Sequence, residues 1–230
     1  MRPGIKSILF DFGGTLDADG TTWLDRFYPL YKEAGVVADK KAFAAAFYHS
    51  DDSLPERFSL KGLSLEQTIE RQVDTVLEEL APQKRASGKK IAERFLTDCR
   101  TSFHRNRPLL ERLGKRFKLG IVSNFYGNLE GILISEGLRE LFGSVADSGV
   151  LGVTKPEPGL FLHAIKELRS SPEESIMVGD SIPRDMRGAE IMGMAHALIS
   201  PSATRCCEAA LVVATLLDLE PILSPERVLR

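Results

Sequence analysis

Two rhythms of apolar and polar positions divide the chain. The first apolar run, Ile8-Leu9-Phe10, is short and runs straight into Asp11-Phe12-Gly13-Gly14. A run of branched and aromatic residues of this length fits a buried strand, read here over Ile5–Phe10. Helical spacing then takes over. Trp23, Phe27, Leu30, Tyr31 and Ala34 share one face and stop at Gly35, and Phe43, Ala46 and Phe47 mark a second helix. Leu65, Ile69, Val73, Val76, Leu77 and Leu80 mark a third, opened by the capping-box pattern Ser64-x-x-Gln67 and followed by Pro82. Ile91, Phe95, Cys99 and Phe103 give a fourth.

Beyond Arg107-Pro108, short apolar runs alternate with helical stretches. Strands are expected at Leu119–Ser123, Val145–Ser148, Ile176–Gly179, His196–Ile199 and Leu211–Ala214. Helices are expected at Leu109–Arg116, Leu129–Glu136, Gly159–Leu168 and Arg184–Met192. Alternation of this kind builds βαβ units and a parallel sheet. The lone early strand has to join that sheet. The expected architecture is therefore α/β: a Rossmann-like, doubly wound core from 1–16 and 106–230, with an α-helical cap inserted over 17–105.

Composition narrows the class. Apolar residues make up 43% of the 230, charged residues 27%, and the net charge of −2 offers no basic excess for nucleic acid. The densest basic stretch, Lys84-Arg85 to Lys89-Lys90, is interrupted by Ala86, Ser87 and Gly88 and reads as a solvated turn. No apolar run reaches the about 18 residues of a membrane span, and no secretory leader is expected. Cys99 and the pair Cys206-Cys207 have neither disulfide nor metal spacing, which fits a reduced, cytoplasmic protein whose cysteines pack as small apolar groups.

Chemistry collects where strands end. Asp11 follows the first strand, Ser123-Asn124 follow Gly120-Ile121-Val122, Lys155 stands in Val153-Thr154-Lys155-Pro156-Glu157-Pro158, and Asp180 and Asp185 share Gly179-Asp180-Ser181-Ile182-Pro183-Arg184-Asp185. In a parallel sheet the carboxyl ends lie along one edge, so these groups converge there. Asp11, Asp180 and Asp185 offer hard oxygen donors of the kind magnesium takes. Ser123 and Lys155 suit an anionic oxygen group, and the lysine offsets the clustered negative charge.

In kind and order these motifs resemble the haloacid dehalogenase superfamily, most of whose members are magnesium-dependent phosphatases. The resemblance covers the whole core, and in the family a helical cap follows the first motif. It implies that Asp11 is a nucleophile forming an aspartyl-phosphate. It implies that Asp11, the Gly13 carbonyl and Asp180 ligate Mg2+ with Asp185 in support, that Ser123 binds phosphoryl oxygens, and that Lys155 orients Asp11. Gly14, Thr15 and Asn124, with Trp23 and Tyr126 near the cap junctions, are the expected substrate-binding residues, and His49 lies further out. The expected partner is a small phosphorylated substrate, with no nucleic acid and no membrane.

One position departs from the pattern. Phosphatases of the family carry a second aspartate two residues after the nucleophile, where this chain has Gly13. That group protonates the leaving oxygen and later activates water, help typically worth ~10²–10⁴-fold. Resembling subfamilies manage without it: haloacid dehalogenases have tyrosine there, phosphonoacetaldehyde hydrolases alanine together with a cap lysine, and P-type ATPases threonine. Asp17 and Asp19 are candidates to stand in, and Lys32, with Lys40 and Lys41, is the candidate cap lysine. A slow or specialised phosphatase is the expected function. A protein that binds a phosphorylated ligand without turnover, or dehalogenase or phosphonate chemistry, is the alternative.

Overall fold

In a computed structural model of the chain, which describes residues 4–202 and 210–223, six strands form a parallel sheet. They are β1 (Ser7–Phe10), β2 (Lys118–Ser123), β3 (Ser144–Asp147), β4 (Ser175–Gly179), β5 (Ala195–Ile199) and β6 (Leu211–Val213). Their order is β3-β2-β1-β4-β5-β6, so the chain winds outward in both directions from β1. Phe10 lies opposite Ile121 of β2 on one side and Val178 of β4 on the other. Both faces are covered. Ile8 and Phe10 enter one apolar layer with Ile121, Ile176 and Val178, while Leu9 enters the other with Val122 and Met177. Burial on both faces is why these strands read as unbroken apolar runs and not as an alternation.

Between β1 and β2 the chain is helical: α1 (Trp23–Glu33), α2 (Lys40–Arg57), α3 (Leu65–Leu80) and α4 (Gly88–Gly114). Local chemistry starts each of the first three, with Thr22 and Asp39 capping α1 and α2 and the full Ser64/Gln67 capping box opening α3. Aromatic side chains hold them together. Phe27 of α1 stacks on Phe95 of α4 with ring centroids 3.7 Å apart, and Trp23 meets the same Phe95 edge-on at 5.2 Å. Phe12, just past β1, packs against Phe103 of α4 and Phe125 at 5.8 and 5.5 Å, which ties the helical layer to the strand ends.

After β2 come α5 (Leu129–Ser135), α6 (Ser148–Leu151), α7 (Pro158–Glu167), α8 (Arg187–Ile191) and α9 (Leu219–Leu223). Three readings from the sequence differ. The helix expected at Leu109–Arg116 is the second half of α4, which runs on through Pro108 for 27 residues, about 40 Å. Proline removes one backbone donor there, but the buried stripe Phe103, Asn106, Leu109, Leu110 and Leu113 continues unbroken, and packing overrides the break. The strand expected to reach Ser148 ends at Asp147, because the Asp147 carboxylate accepts from Gly149 N and starts α6. The helix expected over Arg184–Met192 begins as a wide π-type turn, Ile182–Met186, and becomes α8 only at Arg187. Cys206-Cys207 fall outside the described residues, while Cys99 is fully buried. Among the described residues no helix is long and apolar enough to cross a membrane.

Candidate active site

Asp11 leaves β1 with its backbone N–H bonded to Val178 O of β4 at 2.9 Å, which holds the carboxylate between two strand ends. Its Oδ1 accepts from Ser123 Oγ at 2.9 Å and from Lys155 Nζ at 2.6 Å. Oδ2 accepts nothing among the described residues. Lys155 is buried and also donates to Asp185 Oδ1 at 2.6 Å. Burial alone would pull its ammonium down, but Asp11 and Asp185 outweigh burial and hold it above the usual lysine range. Asn124 fixes the lysine's backbone, accepting from Lys155 N at 2.7 Å and donating to Lys155 O at 3.3 Å, and the Lys155–Pro156 peptide is cis.

Asp180 and Asp185 complete the cluster. One oxygen from each of Asp11, Asp180 and Asp185 lies within 4.8 Å of the others. Ser181 N donates to Asp185 Oδ2 at 3.0 Å, and Thr15 Oγ1 to Asp180 Oδ1 at 3.2 Å. One ammonium serves three carboxyls, so negative charge is in excess. Burial first, then Asp11 and Asp185, push Asp180 up to about 8. Burial also raises Asp185, to about 6, against the pull of Lys155. A hard cation with oxygen preference fits this donor set, since it would discharge the repulsion among the three carboxylates. Gly14 is needed here twice over. Its φ of +87° is a left-handed conformation, and a Cβ would sit 2.5 Å from Asp180 Oδ2.

Asp11, Gly13, Ser123, Asn124 and Lys155 face a cavity of about 130 Å³ whose other walls include Trp23, Phe47, Tyr48 and Asp51 from the helical insertion and Phe125, Tyr126 and Arg184 from the core. Of the expected substrate-binding residues, Trp23, Asn124 and Tyr126 line it. Gly14 and Thr15 do not; they stand behind Asp180.

Neither aspartate of the loop that follows Gly13 is free to replace the missing one. Asp17 is buried, with Oδ1 taking Gly14 N at 2.6 Å and Oδ2 taking Trp23 Nε1 and Arg26 Nη1, each at 2.7 Å. Cys99 Sγ lies 3.4 Å from the same oxygen, and burial with Asp17 beside it drives that thiol well up. Asp19 pairs with Arg105 at 2.7 Å and accepts from Leu216 N at 3.0 Å. The expectation that either aspartate stands in for the missing acid is therefore corrected: the loop ties both into the fold. Trp23 stands over Gly13, its Nε1 3.1 Å from where a Cβ would be.

His49 faces outward to Glu79 at 2.7 Å, while His163 pairs with Glu167 on a helix surface and His196 bonds to Met194 O. Lys32 lies over the Tyr28 ring and Lys40 pairs with Asp25, and neither lines the cavity. Sequence reasoning missed Asp51 and Arg184. Asp51 sits two residues past His49, about 200° round the same helix, so its inward aim carried a signal only once the helix face was known.

The fold and this cluster together define an α/β protein of hydrolase type. The chain belongs to the haloacid dehalogenase-like hydrolase family, whose model matches residues 5–193. Over 83 residues it is 41% identical to haloacid dehalogenase-like hydrolase domain-containing protein 3 of Bos taurus, covering 36% of this chain and 33% of that protein, so the match spans about a third of the relative's length. Over 218 residues it is 27% identical to a glyceraldehyde 3-phosphate phosphatase of Methanothermobacter thermautotrophicus, covering 87% of this chain and 88% of that one. A solved dehalogenase with intermediate complex shares the fold, with TM-score 0.66 and 19% identity over 97% of this chain and 99% of that one.

Proposed function

We propose that the chain is a magnesium-dependent phosphatase of small phosphorylated metabolites, working through an aspartyl-phosphate on Asp11. The observation that carries this reading is the Asp11 carboxylate itself: Oδ1 is held by Ser123 and Lys155, while Oδ2 is left without a donor among the described residues. Held this way, the carboxylate attacks phosphorus with Oδ2 in a fixed direction, and the cost of orientation is met before substrate arrives. Lys155 and Ser123 then face the equatorial oxygens, with Asn124 holding the lysine's backbone. Asp11, Asp180 and the Gly13 carbonyl would hold the cation, with Asp185 in support, and when bound it supplies charge neutralisation between two anions.

The cavity favours a short substrate, since 130 Å³ is well below the about 300–1,000 Å³ of common ligand clefts. The likeness to a phosphatase named for a three-carbon phosphate points the same way. Schiff-base chemistry on a phosphonate lacks its amine, because among the described residues the cavity's only lysine is Lys155, already held by two carboxylates.

A panel of phosphomonoesters assayed with and without Mg2+, beside 2-chloropropionate, tests the reading. Phosphate release that needs Mg2+ and vanishes in Asp11→Asn is expected. Chloride release in place of phosphate would make the protein a dehalogenase, and tight ester binding with no turnover would make it a binding protein.

A further inference from the structure

With glycine at position 13 and Asp17 and Asp19 committed elsewhere, the chemistry of an alkyl ester still needs a proton donor, and among the described residues the cavity wall holds only one carboxyl group besides Asp11. That group is Asp51, from the middle of α2. Its Oδ1 accepts from Tyr126 Oη across the junction with the core, and from Gln72 Nε2 of α3 at 3.3 Å. Oδ2 accepts nothing among the described residues. Nor is it sealed in, since the buried polar atoms left without a partner are Gln72 Oε1 and Asn128 Oδ1. One oxygen is thus anchored while the other is neither bonded nor sealed, on a residue that lines a small cavity together with Asp11. This placement makes Asp51 a fixed group with a free end, as a proton donor requires.

We infer that Asp51 is the general acid and base of this site, supplied from the helical insertion in place of the carboxylate missing at position 13. The inference rests on the phosphatase reading above. In the first half, Asp11 forms a bond to phosphorus, the bond from phosphorus to the ester oxygen breaks, and that oxygen takes the Asp51 proton. The products are an alcohol, a phosphoaspartate and an Asp51 carboxylate. In the second half, Asp51 takes a proton from water as the water oxygen bonds to phosphorus and the bond to Asp11 breaks. Phosphate leaves, and both side chains return to their starting forms.

The surroundings suit this cycle. Burial raises the Asp51 carboxyl above its ordinary range and Asp52 adds to the rise, while the Tyr126 hydrogen bond and the Arg184 cation pull it back. Lys155 and Asp11 line the same cavity. Arg184 donates Nε to Ser181 Oγ at 3.1 Å and forms no ion pair among the described residues, so its charge is available to the cavity.

Leaving-group dependence tests the proposal. Asp51→Asn keeps an acceptor for Tyr126 but has no proton to give. It should lower kcat/KM for small alkyl phosphates by about 10²–10⁴-fold, and for p-nitrophenyl phosphate by less than about tenfold, because that leaving group needs little protonation. Phosphoaspartate should then accumulate as a burst with the aryl ester. A purely structural role for Asp51 would depress both esters alike. Equal losses, or alkyl turnover within about threefold of wild type, would overturn the assignment while Asp11→Asn still reports on the phosphatase reading. Wild type that turns over only the aryl ester would also overturn it with that reading intact, and wild type inactive on both esters removes the two together. As a second measurement, Arg184→Gln removes the cation facing Asp51, so the alkaline limb of alkyl kcat/KM should move to higher pH. An unmoved limb counts against Asp51.

Discussion

At the scale of single residues, Gly13 and Trp23 act as one unit. The indole occupies the space a side chain at position 13 would use, and Asp17 holds the indole there through its N–H. Gly13→Asp therefore has to push against a ring that is itself hydrogen-bonded. It is expected to cost about 1–3 kcal/mol in urea unfolding, the usual penalty for overpacking, and an unchanged midpoint would show that the indole yields freely. Asp51 gives a prediction of opposite sign. Its folded pKa is raised, so the folded state favours the protonated form, and wild type loses stability as pH climbs from about 4 through the folded value. Asp51→Asn never ionises. Its melting temperature should gain on wild type from pH 4 to pH 7 even as alkyl ester turnover falls, and a gap that stays constant with pH would refute this. The difference between these residues also explains what the sequence reveals. Asp11, Ser123 and Asp180 are legible because each sits at a strand end, and strand ends of a parallel sheet meet, while Lys155, in the loop between α6 and α7, is legible only from its motif. Asp51 meets Tyr126 across a separation of 75 residues, and nothing local to either marks the contact.

Secondary-structure elements were legible where the signal is local. The Ser64/Gln67 box closes with bonds of 3.3 and 3.0 Å between residues three apart, and all six strands lie within two residues of where the apolar runs place them. The pattern misled at Pro108, because a proline is a local signal for a break and the stripe packed beneath α4 is a tertiary one. The joint between α1 and α4 is the element contact that most directly supports the cavity. Phe95 stacks on Phe27, meets Trp23 edge-on and lies under the Arg26 guanidinium at 4.2 Å. Phe95→Ala should cost about 3–5 kcal/mol by chemical denaturation. It should also quench the cavity wall's order, seen as a red-shifted emission from the chain's single tryptophan. Native-like emission together with a loss below about 1 kcal/mol would show that the ring is not the support claimed here.

For the molecule as a whole, the crowded carboxylates are a standing cost that a bound ion converts into stability. Raising Mg2+ should raise the melting temperature of wild type, by the equivalent of about 2.7 kcal/mol at roughly one hundred times the dissociation constant. Asp180→Asn should start out more stable without the ion and respond far less to it. The same melting temperature with and without Mg2+ in wild type would remove the metal site from the account. One more consequence follows from α4, which carries the chain from the insertion back to the sheet as a single rod. A rod transmits angle as well as distance. Adding one residue between Phe95 and Leu109 would turn one end about 100° against the other, so that Phe95 could no longer face Phe27 while Leu109 faces the core. Seven residues would nearly restore the phase but carry the two ends about 10 Å apart. Insertions are thus tolerated only in the turns between helices, and any exchange of the helical layer for another, by evolution or by design, has to match the angular phase of this one helix.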